Sequence, residues 1–322
     1  MLFTTQQPDQ NQKMTTRFTG LYPATLTPFN KDGSINLEGI DKYAKHFIDG
    51  GMDGVFVNGT SGESMSLSIN ERKKVIEEWV AANKKYNGKL QIIAHIGAQS
   101  VEDSKELAKH AESVGAAGIS AMAPAFFKPK SLEQLIEYLN EIAKAASNTP
   151  FFYYHFPGIT GVDFPVHKVL SEGAKKFSTM RGAKFTGYDM RDLNKSISLE
   201  GGRFDLLNGF EFLWLPAVSI GGVGAVGLSA NLCPELFRDI EKYGQDKDAK
   251  GLAKAQEAQR KIIQLFDIIE KQENYMSPFK HIMKWLIGID FGPVRTPLKN
   301  MTDSEAEEMI KQLEALGFKT NQ

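Results

Sequence analysis

The sequence predicts an α/β protein, specifically a parallel (β/α)8 TIM barrel with a C-terminal helical extension. Short apolar segments of β type alternate with amphipathic helical segments along the chain, and eight such apolar segments can be counted. Most are almost continuously apolar, as strands buried on both faces of a parallel sheet should be. Eight strand-helix units favour a closed barrel, since an open doubly wound sheet usually has fewer strands and a glycine-rich phosphate fingerprint. No G-x-G-x-x-G follows the first strand.

The predicted elements follow in chain order. The strands are Leu21–Phe29, Gly54–Asn58, Leu90–Ile96, Gly118–Ala123, Pro150–His155, Met180–Phe185, Phe204–Leu207 and Ala225–Ser229. Helical segments between them include Ile69–Val80, Ser100–Ala111 and Ser131–Ala143. Ser100 precedes acidic residues and Ser68 stands three residues before Glu71, which are N-cap and capping-box signals.

We expect three units in the chain: a disordered tail over residues 1–16, the barrel over 17–235 and the helical extension over 236–322. The tail is rich in Gln and Thr and lacks the apolar region of a signal peptide. The extension is longer than one helix and should pack on the barrel instead of folding alone. Its predicted helices lie within Asp248–Lys271, Pro278–Ile287 and Asp303–Leu316.

Composition limits the classes of function. A chain of 322 residues with 42% hydrophobic content and a net charge of −1 is typical of a soluble globular protein with a large core. Interspersed charges argue against nucleic acid or an anionic membrane surface as a partner, and no apolar run reaches the roughly 18 residues of a transmembrane helix. The single cysteine, Cys233, excludes an intramolecular disulfide and predicts a reducing, cytoplasmic compartment, with Cys233 itself a buried hydrophobe.

A lysine stands among small and apolar residues in the sixth predicted strand, M-R-G-A-K-F-T-G. In barrels of this kind the reactive groups lie at the carboxyl ends of the strands. Burial of Lys184 would disfavour its ammonium form and leave more free amine at neutral pH. A free amine attacks ketones, which is the first requirement of Schiff-base catalysis. The alternative is an ordinary strand lysine that reaches solvent or pairs with a carboxylate.

Two further features suggest what this lysine would act on. Tyr154, on the neighbouring predicted strand, provides a phenol that can shuttle a proton, although many strand tyrosines are core residues. The turn G-T-S-G, Gly59–Gly62, offers two hydroxyls and backbone N–H groups that suit a carboxylate, although it could also be an ordinary loop. A lysine for a ketone beside a cradle for a carboxylate describes a site for a 2-oxo acid.

Four motifs occur in the order and spacing of a known family: T-P-F, G-T-S-G-E, Y-x-x-P and G-x-K-x-T, beginning at Thr27, Gly59, Tyr154 and Gly182. From about Arg17 to Phe318 the chain resembles the N-acetylneuraminate lyase and dihydrodipicolinate synthase family of pyruvate-dependent class I aldolases. Within it, the animal-type N-acetylneuraminate lyases are most similar, through segments such as F-V-N-G-T-S-G-E-S-M-S-L-S, E-E-W-V, F-F-K-P and F-Y-Y-H-F-P.

The resemblance implies reversible cleavage of N-acetylneuraminate to N-acetylmannosamine and pyruvate. Lys184 would form the Schiff base and Tyr154 would be the general acid/base. The implied substrate-binding set is Thr60 and Ser61 for the pyruvate carboxylate, and Thr186, Gly209, Glu211, Phe212 and Ser229 for the sugar. No metal or organic cofactor is implied, the partner is a small sugar acid, and a homotetramer built as a dimer of dimers is expected.

This sequence departs from the family pattern at two loops. Synthases of the dihydrodipicolinate type place an arginine shortly after Y-x-x-P to receive a second carboxylate, but here Gly158, Ile159 and Thr160 follow. A dicarboxylate-forming synthase is therefore not expected. The loop after the fourth strand, which often presents a tyrosine, carries Phe126 and Phe127, so a proton relay through that position is absent.

The sugar side departs further. Lyases usually carry an Asp-Glu pair where Glu211 and Phe212 stand, and those acids hold hydroxyls of the glycerol tail. Phe212 cannot accept a hydrogen bond, and each unpaired hydroxyl would cost roughly 1–3 kcal/mol. Leu228 likewise stands where a hydroxyl residue is expected. Two alternatives stay open: a related pyruvate-dependent aldolase or dehydratase for another 2-oxo sugar acid, and a barrel that binds without turnover.

The histidines give no metal signal. His46, His110 and His281 fall on helical patterns, where surface or packing roles are expected. His95 and His155 are closer to the expected site, but neither has partners at metal-ligand spacing. Because side chains alternate along a strand, His155 should face the surrounding helices, opposite to Tyr154.

Overall fold

A computed structural model describes residues 16–244 and 248–319, so nearly all of the predicted tail lies outside the described residues. Eight parallel strands form a barrel surrounded by helices, which confirms the predicted fold class. The strands are β1 Gly20–Pro23, β2 Gly54–Val57, β3 Gln91–His95, β4 Gly118–Met122, β5 Phe151–His155, β6 Met180–Phe185, β7 Asp205–Asn208 and β8 Gly224–Gly227. They pair in the order β1-β8-β7-β6-β5-β4-β3-β2, and a bridge from Ala24 to Phe56 closes the ring.

Helices connect successive strands and continue after the last one. They are Ile40–Asp49, Ile69–Lys85, Val101–Val114, Leu132–Lys144, Pro157–Thr160, Val166–Lys176, Met190–Ser198, Trp214–Ser219, Pro234–Tyr243, Ala249–Ile269, Met276–Ile287 and Asp303–Ala315. The predicted caps are confirmed. Ser68 and Glu71 form a capping box, and the Ser100 side chain accepts from the backbone N–H of Asp103. These caps satisfy N–H groups that the first helical turn leaves unpaired.

Two strands end two or more residues before the predicted position. The first ends at Pro23 and not at Phe29, because the backbone that follows turns to partners outside the sheet: the Leu26 N–H donates to the Tyr43 hydroxyl at 3.4 Å and the Phe29 N–H to Phe291 O at 2.9 Å. The eighth ends at Gly227, because the next residues turn into a short 3₁₀ helix, Ser229–Asn231. In both cases the apolar run in the sequence extends beyond the residue at which the backbone leaves the sheet.

Side chains alternate between the barrel interior and the layer beneath the helices. The interior cluster contains Phe18, Tyr22, Ala24, Phe56, Ile93, Met122, Phe152, Tyr154, Leu207 and Val226. At the amino-terminal end of the strands, the buried carboxylate of Asp205 pairs with Arg17 at 2.5 Å and Arg181 at 2.6 Å. The interior is a packed core, so chemistry is confined to its opposite, carboxyl-terminal end.

The helices that follow β8 bury apolar faces in the same core layer as the barrel helices. Ile262, Phe279 and Leu313 are fully buried members of that layer. The predicted boundary at residue 235 falls within the helix Pro234–Tyr243, and the division into two units stays a prediction. No helix within the described ranges is both long and apolar enough to cross a bilayer.

Candidate active site

Lys184 and Tyr154 lie side by side in the barrel interior. They are register partners on β6 and β5, so the parallel ladder fixes the distance between their backbones. Lys184 Nζ lies 4.2 Å from the centroid of the Tyr154 ring and 4.4 Å from that of Phe56. Lys184 is only 5% exposed, and Tyr154 is 2% exposed. The lysine is thus enclosed between two aromatic faces and does not extend to solvent.

The G-T-S-G-E turn reaches the same point from β2. The Thr60 hydroxyl lies 3.1 Å from the Tyr154 hydroxyl, within hydrogen-bonding distance. Thr60 and Ser61 are half-buried. The Thr27 hydroxyl donates to Gly62 O at 2.7 Å, so the T-P-F motif supports the turn from below. Motifs that are far apart in the sequence therefore meet around the Tyr154 hydroxyl.

Thr186 and Gly209 make the opposite wall, at the ends of β6 and β7. Thr186 follows Lys184 by two residues and so faces the same side of the sheet. It is buried, and its Oγ1 has no hydrogen-bond partner within the described residues. A Cβ on Gly209 would lie 2.1 Å from Thr186 Oγ1, so only glycine permits this close approach. The wall thus contains a buried hydroxyl whose hydrogen-bonding capacity no described residue uses.

Glu211 and Ser229 form a buried hydrogen-bonded pair beside this wall. Glu211 Oε1 accepts from the Ser229 hydroxyl at 3.0 Å and also from the Ser229 backbone N–H. Burial raises the pKa of Glu211 to about 7, against the opposing effect of the Ser229 hydrogen bonds and the charge of Lys184. Near neutral pH this acid can therefore donate as well as accept a hydrogen bond.

Aromatic rings cover the side of the mouth next to Glu211. Phe212 stacks on Phe210 with centroids 4.8 Å apart, and Phe210 in turn lies 4.7 Å from Tyr188. Phe156 meets Phe210 edge-on at 6.0 Å. We call these four residues the aromatic rim. Tyr188 is 72% exposed, so the rim extends from the interior to the surface of the mouth.

The amino-acid sequence matches the model of the Dihydrodipicolinate synthetase family over residues 17–316. The chain belongs to this family. It is 38% identical to the N-acetylneuraminate lyase of Mus musculus over 302 residues, covering 92% of this chain and 93% of that protein. It is 37% identical to N-acetylneuraminate lyase A of Xenopus laevis over 297 residues, covering 92% and 95%.

A solved structure agrees with this assignment. The N-acetylneuraminate lyase of Proteus mirabilis superposes with a TM-score of 0.87 at 33% identity, covering 94% of this chain and 100% of that one. A catalytic lysine mutant of the Ruminococcus gnavus sialic acid aldolase superposes with a TM-score of 0.86 at 28% identity, covering 94% and 98%. Because 94% of this chain is covered in both cases, the match extends beyond the barrel into the C-terminal helices.

All nine predicted site residues lie at or near the carboxyl ends of the strands. Lys184, Tyr154 and Thr60 form one connected group, Thr186 contacts Gly209, and Glu211 bonds to Ser229. Ser61 stands in the turn beside Thr60, and Phe212 belongs to the aromatic rim. Within residues 16–244 and 248–319, no group of three His, Cys, Asp or Glu side chains lies together as a metal-binding set.

The histidines nearest the site differ in direction. His155 faces outward as predicted, since its Nε2 lies 3.1 Å from Asp163 Oδ1 and its ring packs on Phe185. His95 faces inward and meets the Tyr154 ring edge-on, with centroids 5.6 Å apart. Its Nδ1–H donates to Asn58 O at 2.9 Å, and burial lowers its pKa well below the ordinary value, so it is neutral.

Sequence reasoning missed the residues that support the site from behind. Arg72 is buried and donates to His95 O at 2.8 Å and to Gly97 O at 2.9 Å. Glu63 is the last residue of the G-T-S-G-E motif, which by itself indicates no role for it, and Lys280 lies outside every motif singled out above. The available signal was position, since Arg72 and Lys280 are charged residues on the buried faces of amphipathic helices.

Proposed function

We propose that this chain is a Schiff-base (class I) aldolase that reversibly cleaves N-acetylneuraminate to N-acetylmannosamine and pyruvate. The observation that carries the proposal is the enclosure of Lys184 Nζ between the rings of Tyr154 and Phe56, with the Tyr154 hydroxyl beside Thr60. The choice of substrate is supported by relatives named N-acetylneuraminate lyase that match nearly the whole chain.

The first stage joins the substrate to Lys184. The unprotonated amine attacks the 2-oxo carbon of the open-chain sugar acid, and the carbonyl oxygen leaves as water to give an iminium ion. Tyr154 supplies and removes the protons of this step. Thr60, whose hydroxyl lies 3.1 Å from that of Tyr154, orients the phenol. The aromatic faces around Lys184 accommodate positive charge on nitrogen in both the ammonium and the iminium form.

The second stage breaks the bond between the third and fourth carbons. Tyr154 takes the proton of the hydroxyl on the fourth carbon, whose electrons form the aldehyde of N-acetylmannosamine. The electrons of the broken bond pass into the iminium and give an enamine. Protonation of the enamine and addition of water then release pyruvate and restore the amine of Lys184. The steps balance without an oxidant or a cofactor.

Binding is divided between two walls of the mouth. The backbone N–H groups and hydroxyls of Thr60 and Ser61 would hold the carboxylate of the 2-oxo acid. On the other wall, the unpartnered Thr186 Oγ1 and the Glu211–Ser229 pair would bind sugar hydroxyls. Gly209 keeps that wall open, because a side chain there would collide with Thr186.

We further propose that the enzyme needs no metal or organic cofactor, acts in the cytoplasm and assembles as a homotetramer, a dimer of dimers. The oligomer is supported by Phe126 and Phe127, which are 78% and 84% exposed at the mouth of the barrel. Such a pair of exposed aromatic rings is unusual on a free surface and suits contact with another subunit.

The decisive test measures pyruvate released from N-acetylneuraminate by the purified protein and by Lys184→Ala. We expect release to vanish in the variant, and we expect borohydride to fix pyruvate on Lys184 in the unchanged protein. Lys175→Ala, which removes an exposed helix lysine paired with Glu172, is the matched control and should retain both activities. Unchanged release by Lys184→Ala would contradict the mechanism.

A second candidate is an aldolase or dehydratase for another 2-oxo sugar acid. It is favoured by Phe212 in the aromatic rim and by buried Leu228, neither of which can pair with a hydroxyl. A panel of 2-oxo sugar acids with shorter or less hydroxylated tails separates the candidates. N-acetylneuraminate as the best substrate excludes the second, and a failure to trap pyruvate on Lys184 would leave only a binding barrel without turnover.

A further inference from the structure

A buried ion pair stands at the end of the carboxylate-binding turn. Lys280 Nζ lies 2.7 Å from Glu63 Oε1, and the side chains are 3% and 0% exposed. Glu63 is the last residue of the G-T-S-G-E motif, two residues after Ser61, whereas Lys280 belongs to the C-terminal helix Met276–Ile287. A residue far away in the sequence is thereby joined to the turn.

The pair is completed by further contacts with the C-terminal part of the chain. Lys280 Nζ also donates to Pro293 O at 2.7 Å and lies 4.2 Å from the centroid of the Phe29 ring. Glu63 Oε2 accepts from the backbone N–H of Arg295 at 2.9 Å. Both carboxylate oxygens of Glu63 thus have partners, and both partners come from the region that follows the barrel.

Arg295 secures the segment that follows the turn. Its guanidinium contacts both carboxylate oxygens of Glu71, at 2.9 Å and 2.5 Å, and donates to Ser66 O at 2.8 Å and to Gly33 O. The ion pair with Lys280 holds this segment at Glu63. The contacts of Arg295 hold it at Ser66 and Glu71. The C-terminal region, through Lys280 of a helix and Arg295 of the segment after it, therefore contacts the mouth of the barrel as well as its outer layer.

Stability alone is a poor explanation for this arrangement. Removing two charges from water has a large free-energy cost, and well-packed apolar residues often stabilise a protein as much as a buried ion pair does. In addition, the Glu63 backbone lies in the left-handed region with φ 53°, which is a strained conformation for a non-glycine residue. A strained backbone held by a buried ion pair points to a required geometry.

We propose that the Lys280–Glu63 ion pair positions the Thr60–Ser61 turn for the carboxylate of the 2-oxo acid. This inference rests on the proposed function, because it takes that turn as the carboxylate site. Neither residue of the pair touches the reacting atoms. The effect passes through the backbone, since the Glu63 N–H donates to Thr60 O at 3.0 Å and so closes the turn on itself.

The test compares Lys280→Met with Lys284→Met. The first removes the buried charge and keeps the length of the side chain, whereas Lys284 lies on the same helix, is exposed and pairs with Asp290. Borohydride trapping is measured against pyruvate concentration. We expect the half-saturating concentration to rise about 10- to 100-fold in Lys280→Met and to be unchanged in Lys284→Met, because small misplacements of a binding group have effects of this size. Turnover at saturation should change less than about threefold.

A double variant separates positioning from folding. Lys280→Met alone leaves the charge of Glu63 without its partner, but Glu63→Gln with Lys280→Met leaves no unpaired charge and should recover part of the lost thermal stability. If the pair positions the turn, the double variant still shows the raised half-saturating concentration and faster amide exchange over residues 59–64. If the pair serves stability only, the half-saturating concentration and the rate of amide exchange in the double variant should both return toward the values of the unchanged protein.

The two proposals fail in different ways. If the unchanged protein traps no pyruvate, the proposed aldolase function is wrong and the positioning role falls with it. If the unchanged protein traps pyruvate and the folded variants have the same half-saturating concentration, the aldolase stands and the positioning role is wrong.

Discussion

Two groups of residues in the candidate site are held by different kinds of structure. Lys184 and Tyr154, on the proposed pyruvate side, stand within adjacent strands and are paired in register. Glu211 and Phe212, on the proposed sugar side, come after the end of β7, and Ser229 on the same side comes after the end of β8. The first group is held by the backbone ladder of the barrel, whereas the second is held by side-chain contacts.

This difference indicates which residues of the site can be replaced without disturbing the barrel and which cannot. A change of side chain within the barrel interior alters a layer packed on all sides, so a lysine or tyrosine there has one geometry. Residues after the strand ends can be exchanged without moving the barrel, which suits them to select the substrate. Phe212 of the aromatic rim is such a residue, since it follows the end of β7 and packs on Phe210.

The largest effect on turnover is expected from a substitution of Tyr154, the proposed proton carrier on the pyruvate side. In Tyr154→Phe the ring contacts with Lys184 remain, but the hydroxyl that lies 3.1 Å from Thr60 is lost. We expect kcat for cleavage to fall about 10²- to 10⁴-fold, the usual contribution of a positioned acid or base. Pyruvate should still be trapped on Lys184 at equilibrium, because the amine itself is intact.

Tyr153→Phe is the matched control for that experiment. Tyr153 precedes Tyr154 on β5 and packs in the layer beneath the helices, on the opposite face of the strand. It should keep turnover close to that of the unchanged protein. A kcat in Tyr154→Phe within about threefold of the control would mean that another group transfers the proton.

A smaller effect is expected on the sugar side, where Phe212→Glu restores a hydrogen-bond acceptor to the rim. A hydroxyl that gains a partner contributes about 1–3 kcal/mol, so we expect kcat/KM for N-acetylneuraminate to rise about 5- to 150-fold. The half-saturating pyruvate concentration should not change, because Phe212 lies on the other wall. Phe212→Leu removes the ring without adding an acceptor and should show no such gain.

A drop in kcat/KM with Phe212→Glu, together with better turnover of a less hydroxylated 2-oxo sugar acid by the unchanged protein, would contradict the first candidate function. That result would assign the rim to a substrate with an apolar tail. The residues after the strand ends would then differ from those in the strands in a second respect, because they would select a substrate other than N-acetylneuraminate.

Features within the strands could be predicted from the sequence, whereas strand ends and long-range contacts could not. The strand count and the inward direction of Lys184 could be predicted, because a period of two along an apolar strand fixes which side chains share a face. The end of β1 could not, because its apolar run continues past Pro23 into a loop. The Glu63–Lys280 pair could not either, since local patterns carry no information about which distant residues meet.

The smallest effect concerns the buried acid of the sugar side. Burial raises the pKa of Glu211 to about 7, so the folded protein holds this proton at pH values where the unfolded chain has released it. The stabilising contribution is therefore complete below about pH 4.5 and is lost as pH rises through about 7. Glu211→Gln keeps the acceptor for Ser229 and does not titrate.

Relative to Glu211→Gln, the free energy of unfolding of the unchanged protein should fall by about 1 kcal/mol between pH 6 and pH 7, measured by denaturant titration. Glu308→Gln, on the exposed face of the helix Asp303–Ala315, is the control, because it measures how the loss of one surface carboxylate changes the pH dependence of the free energy of unfolding. A difference between the unchanged protein and Glu211→Gln that does not vary with pH would mean that Glu211 is ionised throughout. It could then only accept hydrogen bonds, and the sugar side would have no proton to share with a substrate hydroxyl.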